Sequence, residues 1–274
     1  SILLYSSLES AQGIVQKHGP VKVSLVSENL SIDGSSNFWL GLWMQKEKGW
    51  HAYWSDPGDV GVPPTIEWVL PDGINCGKLV FPVPEKVFMG KVGANGHRGK
   101  NLFLCEFSCD KELLPNSKLN VRAKVSWLVC SRTCQPGYAD LTLSLPVLDE
   151  AQNDPLWSGR FELFRNSQPV HPPKNWTALS YASSKVIRLL VPGNSNEESP
   201  PLYFFGKGNL IRTNASQKIH KIKGFWEIQL ERSPWSTGKE KYLSGLLYRK
   251  GGWNENKSKS YYQIELPLNP YSDD

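Results

Sequence analysis

Short runs of alternating apolar and polar residues recur along the whole chain, each ended by Gly, Pro, Asn or Asp, and no segment keeps a helical period between end caps. Alternation with a period of two is what a strand with one buried face requires, and Gly and Pro supply the turns between strands. In the first half such runs cover Val21–Val26, Asn37–Met44, Thr65–Val69, Leu102–Phe107, Leu119–Val129 and Ala139–Leu145. In the second half they cover Lys185–Val191, Pro201–Phe205, Gly224–Leu230, Leu243–Tyr248 and Tyr261–Leu266. The expected fold is all-β, built of antiparallel sandwiches. A chain of 274 residues is too long for one ordinary domain and suits two. The acidic, polar stretch Asp149–Pro155 follows a strand ending in Leu-Pro-Val, so the expected domains are 1–149 and 150–274. The run YYQIELPL at 261–268 echoes ADLTLSLPV at 139–147, which suggests two related sandwiches. The stretch Asn194–Pro201, rich in Asn, Glu, Ser and Pro, reads as a loop.

The formal net charge is +5, but acids and bases are interspersed. No basic block and no nucleic-acid motif is present, which argues against a nucleic-acid partner. No window approaches the roughly 18 consecutive apolar residues of a membrane-spanning helix. The opening SILLYSSLES lacks the charged and apolar regions of a signal peptide. Either a signal has been removed or the chain is a segment of a longer protein.

The five cysteines, Cys76, Cys105, Cys109, Cys130 and Cys134, all fall in the first half. A chain stapled for stability would spread its bridges over both halves. No Cys-x2-Cys pair occurs and histidines are few, so no structural zinc site is expected. Cys130 ends an apolar strand, three polar residues follow, and Cys134 precedes Pro136-Gly137. Four residues of straight strand advance about 13 Å, whereas a disulfide needs Cα atoms within about 7 Å. A Cys130–Cys134 bond therefore requires a turn, which Ser131-Arg132-Thr133 and the Pro-Gly pair permit. So small a loop removes little unfolded-state entropy, which suits reversible chemistry better than stapling. Arg132 would favour a thiolate beside it. The residues alone leave a plain hairpin staple and a redox pair both open.

Three segments carry a family resemblance. GWHAYWSDPGDVGVP at 49–63, followed by Trp68, resembles the GWHxYWxxPGDxGxP…W signature of the periplasmic N-terminal domain of DsbD/ScsB-type thiol:disulfide interchange proteins. LVFPVPE at 79–85 is similar to that family's WPxPE stretch, and WLVCSRTCQPG at 127–137 to its WLVCxxxCxPG motif. The resemblance spans roughly residues 20–147 and implies an immunoglobulin-like sandwich. By the echo between the halves, the second domain is expected to be immunoglobulin-like too. It implies that Cys130 and Cys134 are the catalytic pair, supported by Trp127, Arg132 and Pro136. It implies a periplasmic protein-disulfide reductase, part of an inner-membrane protein of a Gram-negative bacterium. Electrons would come from a membrane-embedded partner domain and pass to periplasmic thioredoxin-fold proteins, with no metal or organic cofactor. A loop shielding the pair would map near 93–99. Here the chain departs from the family, with Asn95 and His97 where the family carries aromatic residues.

Other features invite blander readings. Cys105 and Cys109 repeat the Cys-x3-Cys spacing within a strand-like run, and could be a second redox pair, a bridge or separate thiols. Cys76 reads as a lone small residue or a bridge partner for one of them. His51, amid Trp50, Tyr53 and Trp54, reads as structural, and Asp56-Pro57-Gly58-Asp59 as a plain turn rather than a calcium loop. Asn29, Asn175, Asn214 and Asn256 begin N-x-S/T triplets, which a bacterial source would leave unglycosylated. Two other functions compete: a two-domain binding module or chaperone with structural disulfides, and a copper-linked thiol protein of the ScsB branch.

Overall fold

A computed structural model of the chain describes residues 10–193, 202–253 and 258–271. The expected loop at Asn194–Pro201 and the Asn256 triplet lie outside the described residues. The first half forms β1 (Gln16–His18), β2 (Val21–Ser27), β3 (Asn29–Ser31), β4 (Phe38–Lys46), β5 (His51–Tyr53) and β6 (Thr65–Val69). It continues with β7 (Ile74–Cys76), β8 (Glu85–Met89), β9 (Val92–Arg98), β10 (Lys100–Cys109), β11 (Lys118–Cys130) and β12 (Cys134–Pro146). One sheet runs β1-β2-β4-β10-β7; the other runs β12-β11-β5-β9-β8, with β6 also paired to β11. Every pairing in these two sheets is antiparallel.

Alternation does what it should. β11 reads KLNVRAKVSWLVC, and its apolar positions are buried while its charged ones face solvent. The buried side chains of the two sheets interdigitate. Val23, Leu25, Leu40, Leu42, Phe103 and Phe107 come from one sheet, and Val121, Val125, Trp127, Leu141 and Leu143 from the other. Each fully buried side chain of this size contributes about 1.5–3 kcal/mol, and the result is an immunoglobulin-like sandwich.

Beyond it lie β13 (Gln152–Asn153), which pairs with β3, and one helix, α1 (Ser158–Ser167). The helix was not expected. It is short, and only Phe161 and Phe164 on it are buried, too few for a readable period. Its start is set by Asp154, whose carboxylate accepts from the N–H groups of Leu156 at 2.7 Å and Trp157 at 3.3 Å. The same carboxylate accepts from Ala11 N–H at 2.7 Å. Trp157, Phe161 and Phe164 then cover the outer face of the first sheet, against Val26, Leu102 and Leu104.

The second half adds β14 (Leu179–Ala182), β15 (Val186–Pro192), β16 (Leu202–Gly206), β17 (Lys218–Ile222), β18 (Phe225–Glu231), β19 (Tyr242–Arg249) and β20 (Tyr261–Pro270). They run β16-β19-β20-β14-β15-β18-β17, joined in the middle by the parallel pair β14 and β20. The two arms enclose one core that includes Ile187, Leu189, Phe204, Trp226, Ile228, Leu247 and Ile264.

The halves meet at the segment 54–59. Trp54 is buried with Phe205 and Leu246. Asp56 Oδ1 accepts from Gly208 N–H at 3.2 Å, and Asp59 Oδ2 from Asn214 N–H at 3.0 Å. Between them Gly58 has φ +91, and a Cβ there would lie 2.0 Å from Thr213 Oγ1. Only glycine accepts that backbone and that contact. The turn that looked plain in sequence is one of the joins between the halves.

Candidate redox site

β11 and β12 form one long hairpin whose register places Cys130 directly opposite Cys134. Ser131, Arg132 and Thr133 make the turn, closed by the Ser131 N–H donating to the Thr133 carbonyl at 2.9 Å. The Cα atoms of the two cysteines are 4.1 Å apart and their sulfurs are bonded at 2.04 Å. The turn that the spacing required is present.

The two sulfurs sit in different surroundings. Cys130 is fully buried, packed with Tyr53, Val87 and Ala94 and flanked by Val60, Met89 and Leu128. Cys134 is exposed, and Met89 Sδ lies 3.4 Å from its sulfur. Met89 ends β8 at the tip of the β8–β9 hairpin, so a thioether sits beside the accessible sulfur. That hairpin is tied to the second half: Lys86 Nζ donates to the Thr213 carbonyl, and Gly93 N–H donates to Asn214 Oδ1 at 2.6 Å.

The supporting residues fall into two groups. Trp127 is buried and packs across the hairpin on Gly137, where a Cβ would lie 2.3 Å from its Nε1. Its ring also meets His18 edge-on, with centroids 6.1 Å apart. Arg132 is exposed on the turn, and Pro136 is exposed opposite Leu128. Asn95 and His97 are not brought to the disulfide. The stretch expected as a shielding loop is the strand β9, in which alternate residues point to opposite faces. Ala94 faces Cys130. Asn95 instead donates from Nδ2 to the Asp56 carbonyl at 3.1 Å, and His97 lies edge-on to Phe103 at 5.9 Å. Met89 and Tyr53 are the contacts that sequence reading missed. Met89 showed only the signal of an ordinary apolar strand residue, and Tyr53 stood in the motif at 49–63 with no role assigned to it.

Two histidines near the pair stay neutral. His51 lies opposite Cys130 on β5 and edge-on to Tyr53 at 5.3 Å. Burial, and then the Arg98 charge, push its pKa down to about 4. Burial and Lys46 push His97 down to about 3. Lys46 is itself buried, with Nζ donating to Asn101 Oδ1 at 2.5 Å, and burial lowers it to about 7. Among the described residues no group of three or more His, Cys, Asp or Glu is placed to hold a metal ion.

What distinguishes this site is one buried and one reachable sulfur on a hairpin, and that is a layout suited to thiol–disulfide exchange. Residues 24–146 match the family described as thiol:disulfide interchange protein DsbD, N-terminal, and the first sandwich belongs to it. The whole fold also resembles the crystal structure of the N-terminal periplasmic domain of ScsB from Proteus mirabilis. That likeness has a TM-score of 0.67 and 16% sequence identity, and covers 95% of this chain and 99% of the other. At such identity the likeness speaks to fold alone. No curated protein matches the chain. The first sandwich is thus a thiol:disulfide interchange domain, with the Cys130–Cys134 pair as the feature that fits its chemistry. No helix among the described residues is long and apolar enough to cross a membrane.

Proposed function

We propose that this chain relays electrons in the periplasm, from a membrane-embedded donor domain to thioredoxin-fold proteins, as a protein-disulfide reductase acting through Cys130 and Cys134. The observation that carries this reading is the asymmetry of the pair: Cys134 exposed, Cys130 buried. In the reduced state the Cys134 thiolate attacks a target disulfide. A mixed disulfide forms and one target sulfur leaves as thiolate. Cys130, reached only from within, then attacks Cys134 Sγ and releases the second target sulfur. Two electrons pass to the target, and the protein returns to the bonded state seen here. Trp127 and Gly137 hold the hairpin rigid during the exchange, and Arg132 favours the thiolate electrostatically.

We read the chain as two domains dividing near Asp149. The second holds the β8–β9 hairpin, and so Met89, beside Cys134.

The test is trapping. Cys130→Ser keeps the attacking sulfur and removes the resolving one, so it should accumulate a mixed disulfide with an oxidised thioredoxin-fold acceptor. Cys134→Ser should trap nothing. Trapping by Cys134→Ser instead, or by neither variant, overturns the assignment of roles.

A further inference from the structure

A second thiol pair lies at the opposite edge of the first sandwich. β7 pairs with the end of β10, with Cys76 opposite Phe107 and Ile74 opposite Cys109. Cys105 is two residues before Phe107 and therefore on the same face as Cys76. Both face the sandwich core, Cys105 buried at 1% exposure and Cys76 half-buried at its rim. The Cys76 thiol donates to the Gly77 carbonyl at 3.3 Å. Across the core stands Trp68 of β6, edge-on to Phe107 with centroids 4.9 Å apart. Its buried Nε1 has no hydrogen-bond partner among the described side chains and backbone. A buried indole donor without an acceptor is an expense that native cores avoid; charge on Cys105 would satisfy it.

We propose that Cys76 and Cys105 form a second, reversible dithiol–disulfide couple, reached through Cys76 and separate from the Cys130–Cys134 hairpin. The Cys76 thiol, and then Trp68, lower the pKa of Cys105, while Cys105 and burial raise that of Cys76. Of the two thiols, Cys105 is thus the first to ionise, and Cys76 keeps its proton. Cys105 is too buried for a bulky oxidant, so Cys76 meets it first. With a small-molecule disulfide such as oxidised glutathione, Cys76 Sγ attacks one glutathione sulfur as its proton passes to Cys105. One glutathione leaves as thiolate. The first glutathione thiolate takes that proton from Cys105, and the Cys105 thiolate then attacks Cys76 Sγ, breaking the mixed disulfide and releasing the second glutathione as thiolate. Two electrons move from the pair to the oxidant, and one bond forms for the one broken.

Diagonal partners across a ladder lie about 7–8 Å apart at Cα, at the limit of the disulfide range of about 7 Å. β7 is an edge strand of only three residues and can move inward. A bond that draws an edge strand inward is of the labile, oxidising kind rather than the structural kind.

Cys109 is the competing partner, because it lies diagonal to Cys76 on the other side of Phe107. Burial, Asp33 and Asp110 raise its pKa, which makes it the poorer thiolate. The experiment uses the full chain with Cys130–Cys134 already bonded, incubated with oxidised glutathione, alkylated and mapped by mass spectrometry. The expected result is loss of two of the three free thiols, a Cys76–Cys105 linked peptide, and recovery of both thiols with dithiothreitol. In Cys105→Ser, Cys76 should instead stop as a glutathione adduct. In Trp68→Phe, with an unchanged circular dichroism spectrum, thiolate absorbance should appear at higher pH. A Cys76–Cys109 link, a glutathione adduct alone in the unsubstituted chain, or three thiols still alkylated would each overturn the proposal.

Discussion

The Cys-x3-Cys spacing occurs twice in the first sandwich, with opposite results. Cys130 and Cys134 face each other across a turn and are bonded. Cys105 and Cys109 lie along β10 and remain free thiols. The residues in between make the difference. Ser131, Arg132 and Thr133 have no place in the core, so the chain can reverse there. Glu106, Phe107 and Ser108 stay in the ladder, because Phe107 is fully buried and stacked on Phe38 at 5.4 Å. Pulling Phe107 out to make a turn would cost about 3–5 kcal/mol, the scale of deleting a buried Phe. Cysteine spacing therefore makes a hairpin disulfide only where the intervening residues carry no packing duty.

The comparison breaks most decisively in activity. Cys134→Ser should abolish reduction of a protein disulfide, whereas Cys109→Ser should leave its rate unchanged in an insulin-type turbidity assay. A Cys109→Ser variant that also loses activity would mean that a thiol on β10 takes part in the exchange.

The next effect is on stability against pH. His51, beside the hairpin, and His97, one strand further, have folded pKa values of about 4 and about 3, below the ordinary 6.5. Between those values and 6.5 the unfolded chain binds more protons, so stability is full above pH 6.5 and is lost as pH falls. With both groups contributing, the loss is at most about 2.7 kcal/mol per pH unit between pH 6 and 4. Urea unfolding at several pH values measures it. His97→Gln should flatten the slope by about half, and an unchanged slope would show that carboxylates, not these histidines, set the acid limit.

A smaller effect separates the two regions through their glycines. A Cβ on Gly137 would meet Trp127 at 2.3 Å, whereas one on Gly77, just past β7, meets only the Glu106 carbonyl at 3.4 Å. Gly137→Ala should destabilise by about 1–3 kcal/mol. Gly77→Ala should stay within about 0.5 kcal/mol. Equal denaturation midpoints for the two variants would mean that the hairpin is not held by Trp127.

Much of this was legible in the chain, and the gaps have physical reasons. Strands such as Thr65–Val69 were read to the residue, because alternation with a period of two is a local signal. The turn after Cys130 was legible as a requirement of strand length, and the motif at 127–137 supplied its chemistry. The helix Ser158–Ser167 was not legible, since two buried phenylalanines in ten residues make no period. Nor was the face of β9 on which Asn95 and His97 lie, because only the pairing of β9 with β5 and β8 sets it. The role of Asp56 and Asp59 depends on partners more than 150 residues away. Local pattern carries no information at that range.

The smallest expected effect concerns what stands over Cys134, which the free thiols at the other edge lack. Met89 touches Cys134 Sγ, and the hairpin that carries it is fastened by Thr213 and Asn214. Met89→Ala removes the contact itself; Asn214→Ala removes the fastening to Gly93 N–H and keeps the backbone N–H that donates to Asp59. Either change should raise the rate at which dithiothreitol reduces the disulfide by about fivefold, the equivalent of about 1 kcal/mol in the barrier. If Met89 acts only because the second half holds it in place, the double variant should be no faster than Met89→Ala alone, since neighbouring effects that share one route do not add. A double variant that multiplies the two single effects would show that Asn214 acts on Cys134 by another path. Unchanged rates in both single variants would mean that thiols approach Cys134 from the side of Arg132 and Thr133, leaving the β8–β9 hairpin outside the chemistry.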